Sequence, residues 1–380
     1  MSSTPRKRKF DAISLAKDSF CFHGTKIETI IGHINNTVCS VFKSQSECRN
    51  DEILHNLIKN NKTILSNIHG VNDGKPFYCF DCCILSYDCE IHLNHTKREN
   101  LTSNQLRMPS LILNQISKDK TLAQYHFDLP TINQILYFIE MNKFTTVIFV
   151  GSPRLFEHQN LYSTMRSKKI TAVLLDADTR LTNFYSNQEF YLFNMVNGQF
   201  YSDQIDRQRF IDRFKSEKIL IFCDPPFSTQ IDLVVSHLDK LSTDLSSANE
   251  TKIIFVMPYY FEKRIAKTDP SLLMSDYRVT YENHPKFKSD GTGSTGKRYE
   301  SVVRFFTNIE LENLRPIPGE DTIYKYCNAC EKYVHPNNVH CIRCGKCPTR
   351  HGKTYKHCKF CNKCHQEKYE NCKRTKHDVE

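Results

Sequence analysis

Thiol and imidazole groups dominate the chemistry that this chain could perform, and they are clustered. Of 17 cysteines, seven lie between Cys21 and Cys89, nine between Cys327 and Cys372, and Cys223 stands by itself in the long middle. Four such donors at short spacing make a closed tetrahedral zinc site. One set is Cys21, His23, Cys39 and Cys48; another is Cys79 and Cys82 with His92 and His95, for which Cys83 and Cys89 compete. From Tyr326 a cadence sets in: Cys327-x2-Cys330, then His340-Cys341-x2-Cys344-x2-Cys347, then His357-Cys358-x2-Cys361-x2-Cys364. This 17-residue repeat carries two adjacent ligand pairs and cannot close a site within itself without strain, so interleaved zincs are expected. Cys327, Cys330, His340 and Cys347 would hold one, and Cys341, Cys344, His357 and Cys364 the next. A third would take Cys358, Cys361, Cys372 and His377, although Asn371 stands where the pattern asks for another histidine.

A second kind of chemistry is set up in the cysteine-poor middle. The apolar run Ile219 to Cys223 reads as a buried strand, and it stops at Asp224, Pro225, Pro226 and Phe227. Two prolines supply no ladder donors and fix their own dihedrals, so the strand must end there in a rigid extended turn that presents a carboxylate. The elements that would position this carboxylate are legible on either side. Ile132 to Met141 has helical spacing. Thr145 to Val150, Ala172 to Leu175, Lys252 to Met257 and Val302 to Thr307 read as further strands. Strands alternating with helix-length segments imply a mostly parallel sheet covered on both faces, with ligands beyond the strands' carboxyl ends. At those ends stand Gly151, followed by Ser152, Pro153 and Arg154, and Asp176, a suitable acceptor for ribose hydroxyls. The run from Lys286 to Arg298, with three glycines and four cations, suits a flexible lid, a substrate contact or a plain surface loop.

The formal charge of +10 favours an anionic partner, nucleic acid first. Residues 321–380 hold 13 Lys and Arg against 6 Asp and Glu, with Tyr333, Tyr355, Phe360 and Tyr369 interspersed, which fits RNA phosphates and bases. The basic run Arg6 to Lys9 suits a nuclear import signal, a nucleic-acid-binding arm or a solvated tail. No apolar stretch approaches the roughly 20 residues of a membrane span. A soluble chain in a reducing compartment is expected, with cysteines as metal ligands rather than disulfides.

Several of these segments resemble known families. The Cys21 set resembles a GRF-type zinc finger, without the Gly-Arg-Phe signature, and the Cys79 set a short Cys2His2 finger. The carboxyl-terminal cadence resembles the cysteine-rich domain of protein palmitoyltransferases, but Tyr355-Lys356-His357-Cys358 replaces their Asp-His-His-Cys nucleophile. Asp224-Pro225-Pro226-Phe227 after a strand resembles the motif of S-adenosylmethionine-dependent amino-group methyltransferases. With Ala123 to Phe127, Val150 to Leu155, Leu174 to Asp178, Phe193 to Met195 and Pro258 to Glu262 in one order, the chain resembles the zinc-finger CCHC-domain-containing family that makes N6-methyladenosine in large-subunit ribosomal RNA. That resemblance implies an α/β fold: a Rossmann-type class I methyltransferase core flanked by small zinc-finger modules at both ends. It implies that Asp224, Pro225, Pro226 and Phe227 act on the adenine, and that Tyr125, Phe127, Gly151, Arg154, Asp176, Asn194, Met195 and Asp224 surround the cofactor. S-adenosyl-L-methionine, several Zn2+ ions, an RNA partner and a nuclear or nucleolar location go with it. The implied layout is a basic tail (1–20), a GRF-like finger (21–55), a Cys2His2-like finger (75–98), the methyltransferase domain (106–316) and the interleaved zinc domain (321–380). A non-catalytic zinc-dependent RNA-binding protein and a methyltransferase for DNA adenine or another amino group are the alternatives.

Overall fold

The computed structural model describes residues 76–87, 92–113, 125–166, 170–201, 204–215, 217–246, 251–288, 300–319, 323–348 and 355–365. The expectations for Cys21, His23, Cys39, Cys48, Cys89, Cys372 and His377 fall outside these residues. In chain order the strands are β1 (Phe77–Cys79), β2 (Ile84–Ser86), β3 (Lys97–Arg98), β4 (Thr146–Val150), β5 (Thr171–Asp176), β6 (Phe190–Asn194), β7 (Gln199–Phe200), β8 (Ile219–Cys223), β9 (Lys252–Pro258), β10 (Leu273–Met274), β11 (Val303–Thr307), β12 (Lys325–Cys327), β13 (Lys332–Val334), β14 (Lys356–Cys358) and β15 (Lys363–His365). The helices are α1 (Ser103–Arg107), α2 (Leu129–Met141), α3 (Pro153–Arg166), α4 (Gln204–Phe214), α5 (Ile231–Leu245) and α6 (Glu262–Thr268).

Eight strands form one sheet in the order β10-β11-β9-β8-β4-β5-β6-β7. Neighbours from β9 through β6 run parallel, and β11 enters antiparallel between β9 and β10. The central strands are apolar throughout because both faces are covered. Val147, Phe149, Leu220, Phe222, Ile254 and Val256 point into one core with Ile132, Ile135, Ile139, Leu155 and Phe156 of α2 and α3. The alternate residues Ile148, Val150, Ile219, Ile221, Ile253 and Phe255 point into a second core with Phe210, Val234, Leu238, Leu241 and Ile265 of α4, α5 and α6. This two-residue alternation is the ordinary geometry of a strand, and each fully buried side chain of this kind contributes about 1.5–3 kcal/mol. The result is the three-layer α/β/α arrangement that the alternation of strands and helices predicts.

The chain crosses from β4 outward to β5 and β6, then returns to place β8 on the other side of β4. Connections therefore diverge at the β4–β8 pair, leaving a crevice beyond its carboxyl end. Gly151 and Asp224 are the residues that follow those two strands.

Two of the cysteine-rich pieces, the β1–β2–β3 finger and the β12–β13 hairpin, are tied to the rest of the described structure. The β1–β2–β3 finger buries Tyr78 and Leu85 in the same core as α2 and α3, and Tyr78 stacks on Phe184 at 5.8 Å. The Asn183 amide accepts from the Leu85 N–H (3.2 Å) and donates to the Cys83 carbonyl (3.0 Å). The β12–β13 hairpin is held from below by buried Asp276, which accepts from Lys332 Nζ (3.2 Å) and Asn338 Nδ2 (3.1 Å).

Candidate active site and metal centres

The turn after β8 is built as its proline pair requires. The Asp224 N–H donates to the Val150 carbonyl (3.1 Å), closing the last rung between β8 and β4. The Thr229 N–H then takes the Pro226 carbonyl (2.9 Å), while the Pro225 carbonyl receives no donor from the described residues. Asp224 is half-buried, and burial pushes its carboxyl well above the ordinary range. The opposing influence is the buried Tyr281 hydroxyl, which donates to Asp224 Oδ1 at 3.1 Å. The other carboxylate oxygen is left to accept from a ligand.

Tyr281 itself is fixed by pairing across 150 residues of sequence. The stretch before α2 bridges the stretch before β11 through Phe127 and Tyr281. The Glu282 N–H donates to the His126 carbonyl (2.8 Å), and the Asp128 N–H to the Thr280 carbonyl (3.2 Å). Phe127 stacks on Tyr281 at 5.0 Å and meets Phe222 edge-on, with 2% of its surface exposed, so it is a core aromatic holding the Tyr281 ring. Tyr125 is half-buried 4.4 Å from the His284 ring, and His284 stacks on Phe287 at 4.4 Å. Phe227 lies 6.2 Å from both Tyr281 and His284. Burial, reinforced by Lys286, lowers His284 to about 4. Its neutral Nδ1 accepts the N–H groups of Lys286 and Phe287. These rings wall the space around Asp224 with flat apolar faces, the environment that suits a purine. Tyr281, His284 and Phe287 carry no motif in the sequence; their one signal is the aromatic density of the segment, next to a run of glycines and lysines.

The residues expected around the cofactor fall into two groups. Gly151 has φ +69°, and a Cβ there would stand 2.6 Å from Met195 Cε and 3.1 Å from the Asp224 carbonyl oxygen. That close approach of three segments at the β4–β8 crevice needs a glycine. Asp176 is buried at the end of β5; burial, with Asp178 adding its charge, lifts its carboxyl to about 7. The Asp178 N–H donates to Asp176 Oδ1 (2.9 Å). Arg154 donates to Glu282 (3.1 Å) and Ser110 (3.4 Å), and its buried Nε has no partner among the described residues. The Asn194 side chain is occupied locally: Oδ1 accepts the Val196 N–H (2.8 Å) and Nδ2 donates to the Tyr201 hydroxyl (3.3 Å). A tight glycine turn beside Asp224, a buried carboxylate at the end of the next strand and a guanidinium with an unpartnered N–H suit a ligand with a ribose and a charged end.

One further buried carboxylate went unread in the sequence. Glu157 on α3 accepts from the Ser110 N–H (2.9 Å), the Ser110 hydroxyl and the Tyr185 hydroxyl (3.2 Å), and burial raises it to about 7. Ser110 thus ties the short segment after the finger to both Arg154 and Glu157.

The ligand sets gather in space. Cys79, Cys82, His92 and His95 bring their donor atoms within 4.8 Å of one another, as do Cys327, Cys330, His340, Cys347 and, separately, Cys341, Cys344, His357, Cys364. Cys83 stays out of the first group and donates to the Phe80 carbonyl. In the second group Cys330 Sγ and His340 Nδ1 are 3.2 Å apart and Cys327 and Cys347 Sγ 3.6 Å, close to the edges of a tetrahedron around one metal ion with bonds of about 2.0–2.3 Å. His357 faces its thiols with Nδ1 and meets Asn362 Oδ1 with Nε2 (3.1 Å), the kind of outer contact that fixes a ligating ring. Cys358 and Cys361 are joined by His365, which the spacing did not single out. The Cys-x2-Cys loops that end at Cys82, Cys330, Cys344 and Cys361 are each followed by a residue in the left-handed region: Cys83 (φ 56°), Glu331 (49°), Gly345 (60°) and Asn362 (52°). All four loops therefore close with one turn geometry.

A family model described as "Probable N6-adenine methyltransferase" matches residues 118–310. The human rRNA N(6)-adenosine-methyltransferase ZCCHC4 is 33% identical over 289 residues, covering 73% of this chain and 55% of its own length. The proteins of that name from Xenopus laevis and Mus musculus are 32% and 30% identical, each over 70% of this chain and over 56% and 53% of their own lengths. The chain spans about half the length of the curated relatives it matches.

Proposed function

This chain belongs to the N6-adenine methyltransferase family, and we propose that it transfers a methyl group from S-adenosyl-L-methionine to the N6 amine of an adenosine in RNA, large-subunit ribosomal RNA first. What supports this most directly is Asp224. It follows a central strand at the crevice and has one oxygen held by Tyr281 and the other open, and the Tyr281 ring that holds it is surrounded by Phe227, Tyr125 and His284. The cofactor supplies an already activated methyl on a sulfonium. The chain's own part is to hold the amine against it. The adenine ring lies against Phe227, and its two N–H groups donate to the Asp224 carboxylate and the Pro225 carbonyl, which orients the nitrogen lone pair. Positioning of this kind and a fixed acceptor provide most of the acceleration. The methylated nitrogen must then lose a proton, and a carboxylate whose proton affinity burial has raised takes it more readily than an exposed one.

Asp176 would accept the cofactor's ribose hydroxyls and Arg154 its carboxylate, beside Gly151 and Met195. Zn2+ would occupy the Cys/His groups, a d10 ion matching both the two thiolates and two imidazoles of the Cys79 group and the three thiolates and one imidazole of the Cys327 and Cys341 groups. The zinc modules at 75–98 and 321–380 would grip structured RNA while the domain at 106–316 acts on it. A ribosomal RNA substrate agrees with a nuclear or nucleolar site of action. The test is methyl transfer from labelled cofactor to total RNA lacking its own adenosine modifications, followed by nucleoside analysis. N6-methyladenosine in the large ribosomal RNA is expected. With Asp224→Ala the rate should fall about a hundred- to ten-thousand-fold at unchanged zinc content; retained activity overturns the role of Asp224.

A further inference from the structure

Between the catalytic sheet and the second carboxyl-terminal metal group lies a cleft of about 570 Å3, whose walls include Tyr259, Tyr355, Arg343, Lys346 and Lys363. None of its lining residues is acidic. Tyr259 belongs to the catalytic side: it follows β9, and its N–H donates to the Val302 carbonyl (2.9 Å). The buried Arg304 guanidinium lies over its ring, 5.7 Å from the centroid. The three cations belong to the metal-binding side. Arg343 lies inside the Cys341–Cys344 loop, Lys346 just past it, and Lys363 directly before Cys364. Arg343, Lys346 and Lys363 are exposed.

The cleft opens at the same end of the sheet as Asp224. Cys223 of β8 pairs in register with Phe255 of β9, so Asp224 lies level with Val256, and Tyr259 is three residues further on. At about 3.3 Å per residue the two positions are roughly 10 Å apart along the strand direction. That is a short reach along a polynucleotide whose target base sits at Asp224.

We propose that this cleft is a subsite for the RNA strand flanking the methylated adenosine, with Arg343, Lys346 and Lys363 on its phosphates and Tyr259 and Tyr355 against a sugar or base. The proposal rests on the reading of the chain as an RNA methyltransferase, and it gives the second metal group a specific task. A Cys3His site with its metal carries a net charge of about −1, so the three cations leave the cleft clearly positive. Aromatic rings interleaved with cations are what a single strand needs, since every base offers a flat face and every nucleotide a charge. Ile342, 90% exposed at the tip of the Cys341–Cys344 loop, extends the same surface.

The experiment uses the full chain and a fluorescein-labelled, mixed-sequence single-stranded RNA of about 20 nucleotides. Binding is measured by anisotropy across a salt series. The triple variant Arg343→Glu, Lys346→Glu, Lys363→Glu should bind at least about tenfold more weakly at physiological salt, and the slope of log affinity against log salt should drop by about 2. Cofactor affinity and zinc content should be unchanged. Lys346→Ala, which removes one exposed side chain, should lower the slope by about 0.7–0.9 and decides the matter if the triple variant loses zinc. Wild-type binding matched by both variants overturns the cleft and leaves the methyltransferase reading standing. A wild-type chain that neither binds the RNA nor methylates ribosomal RNA removes both.

Discussion

Burial gives Asp176 a carboxyl titration that would report a ligand placed against it. Its carboxyl is raised to about 7, so the folded protein keeps a proton that the unfolded chain releases near the ordinary carboxylate value of about 4. Folding stability from this group is therefore greatest below that lower value and declines as pH rises towards 7. Ribose hydroxyls bound there, as proposed, would donate to the ionised form and reverse the preference. Cofactor binding should therefore release a proton at pH 6, and affinity should rise as pH increases through 7. Calorimetry in buffers of different ionisation enthalpy measures both effects, and Asp176→Asn should abolish the proton release and weaken binding about tenfold or more. Binding that is independent of pH between 6 and 8 would remove Asp176 from the ribose. Burial lifts Asp224 in the same direction, and the Tyr281 hydroxyl, by donating to its ionised form, opposes that lift and favours the carboxylate that the proposed reaction uses.

At the scale of elements, the β4–β8 crevice is set by backbone. Gly151→Ala must hold a side chain at φ +69° and bring a Cβ against Met195 and the Asp224 carbonyl. A stability loss of about 1–3 kcal/mol is expected, with a parallel loss of cofactor affinity. Adding Met195→Ala should recover only part, because the methionine can yield but the dihedral and the carbonyl cannot; full recovery in thermal melts and titrations would mean that Met195 alone makes the glycine necessary. These elements were readable in the sequence because their signals are local. Residues 147–150 and Ile219–Cys223 are continuous apolar runs, as strands covered on both faces must be. The interleaved ligand sets follow from a fixed spacing. Tyr281 was not readable, since its hydrogen bond to Asp224 spans 57 residues and depends on β11 entering antiparallel beside β9. Nor was the docking role of Tyr78, because a buried aromatic in a short finger looks the same whether it fills the finger or joins a larger core.

Across the whole molecule, that last point makes the finger part of the foundation of the α/β core. Tyr78 and Leu85 lie in the same core as the α2 and α3 faces, and Asn183 clasps the finger's backbone from the segment after β5. From the finger the chain runs through α1 to Ser110, which donates to Glu157 and accepts from Arg154 at the amino-terminal end of α3. A metal ion holding Cys79, Cys82, His92 and His95 would thus steady, through packed side chains and a hydrogen-bonded serine, the Arg154 guanidinium proposed above to hold the cofactor's carboxylate. Cys79→Ser should therefore do two things at once. It should move the main thermal transition of the catalytic core downward rather than add a separate early one, since structural zinc contributes to folding free energy directly. It should also weaken cofactor binding, although no ligand of that metal group touches the crevice. Scanning calorimetry and cofactor titration on the same preparation measure both. A core that melts at the wild-type temperature with wild-type cofactor affinity would show instead that the finger is an independent module carried beside the enzyme.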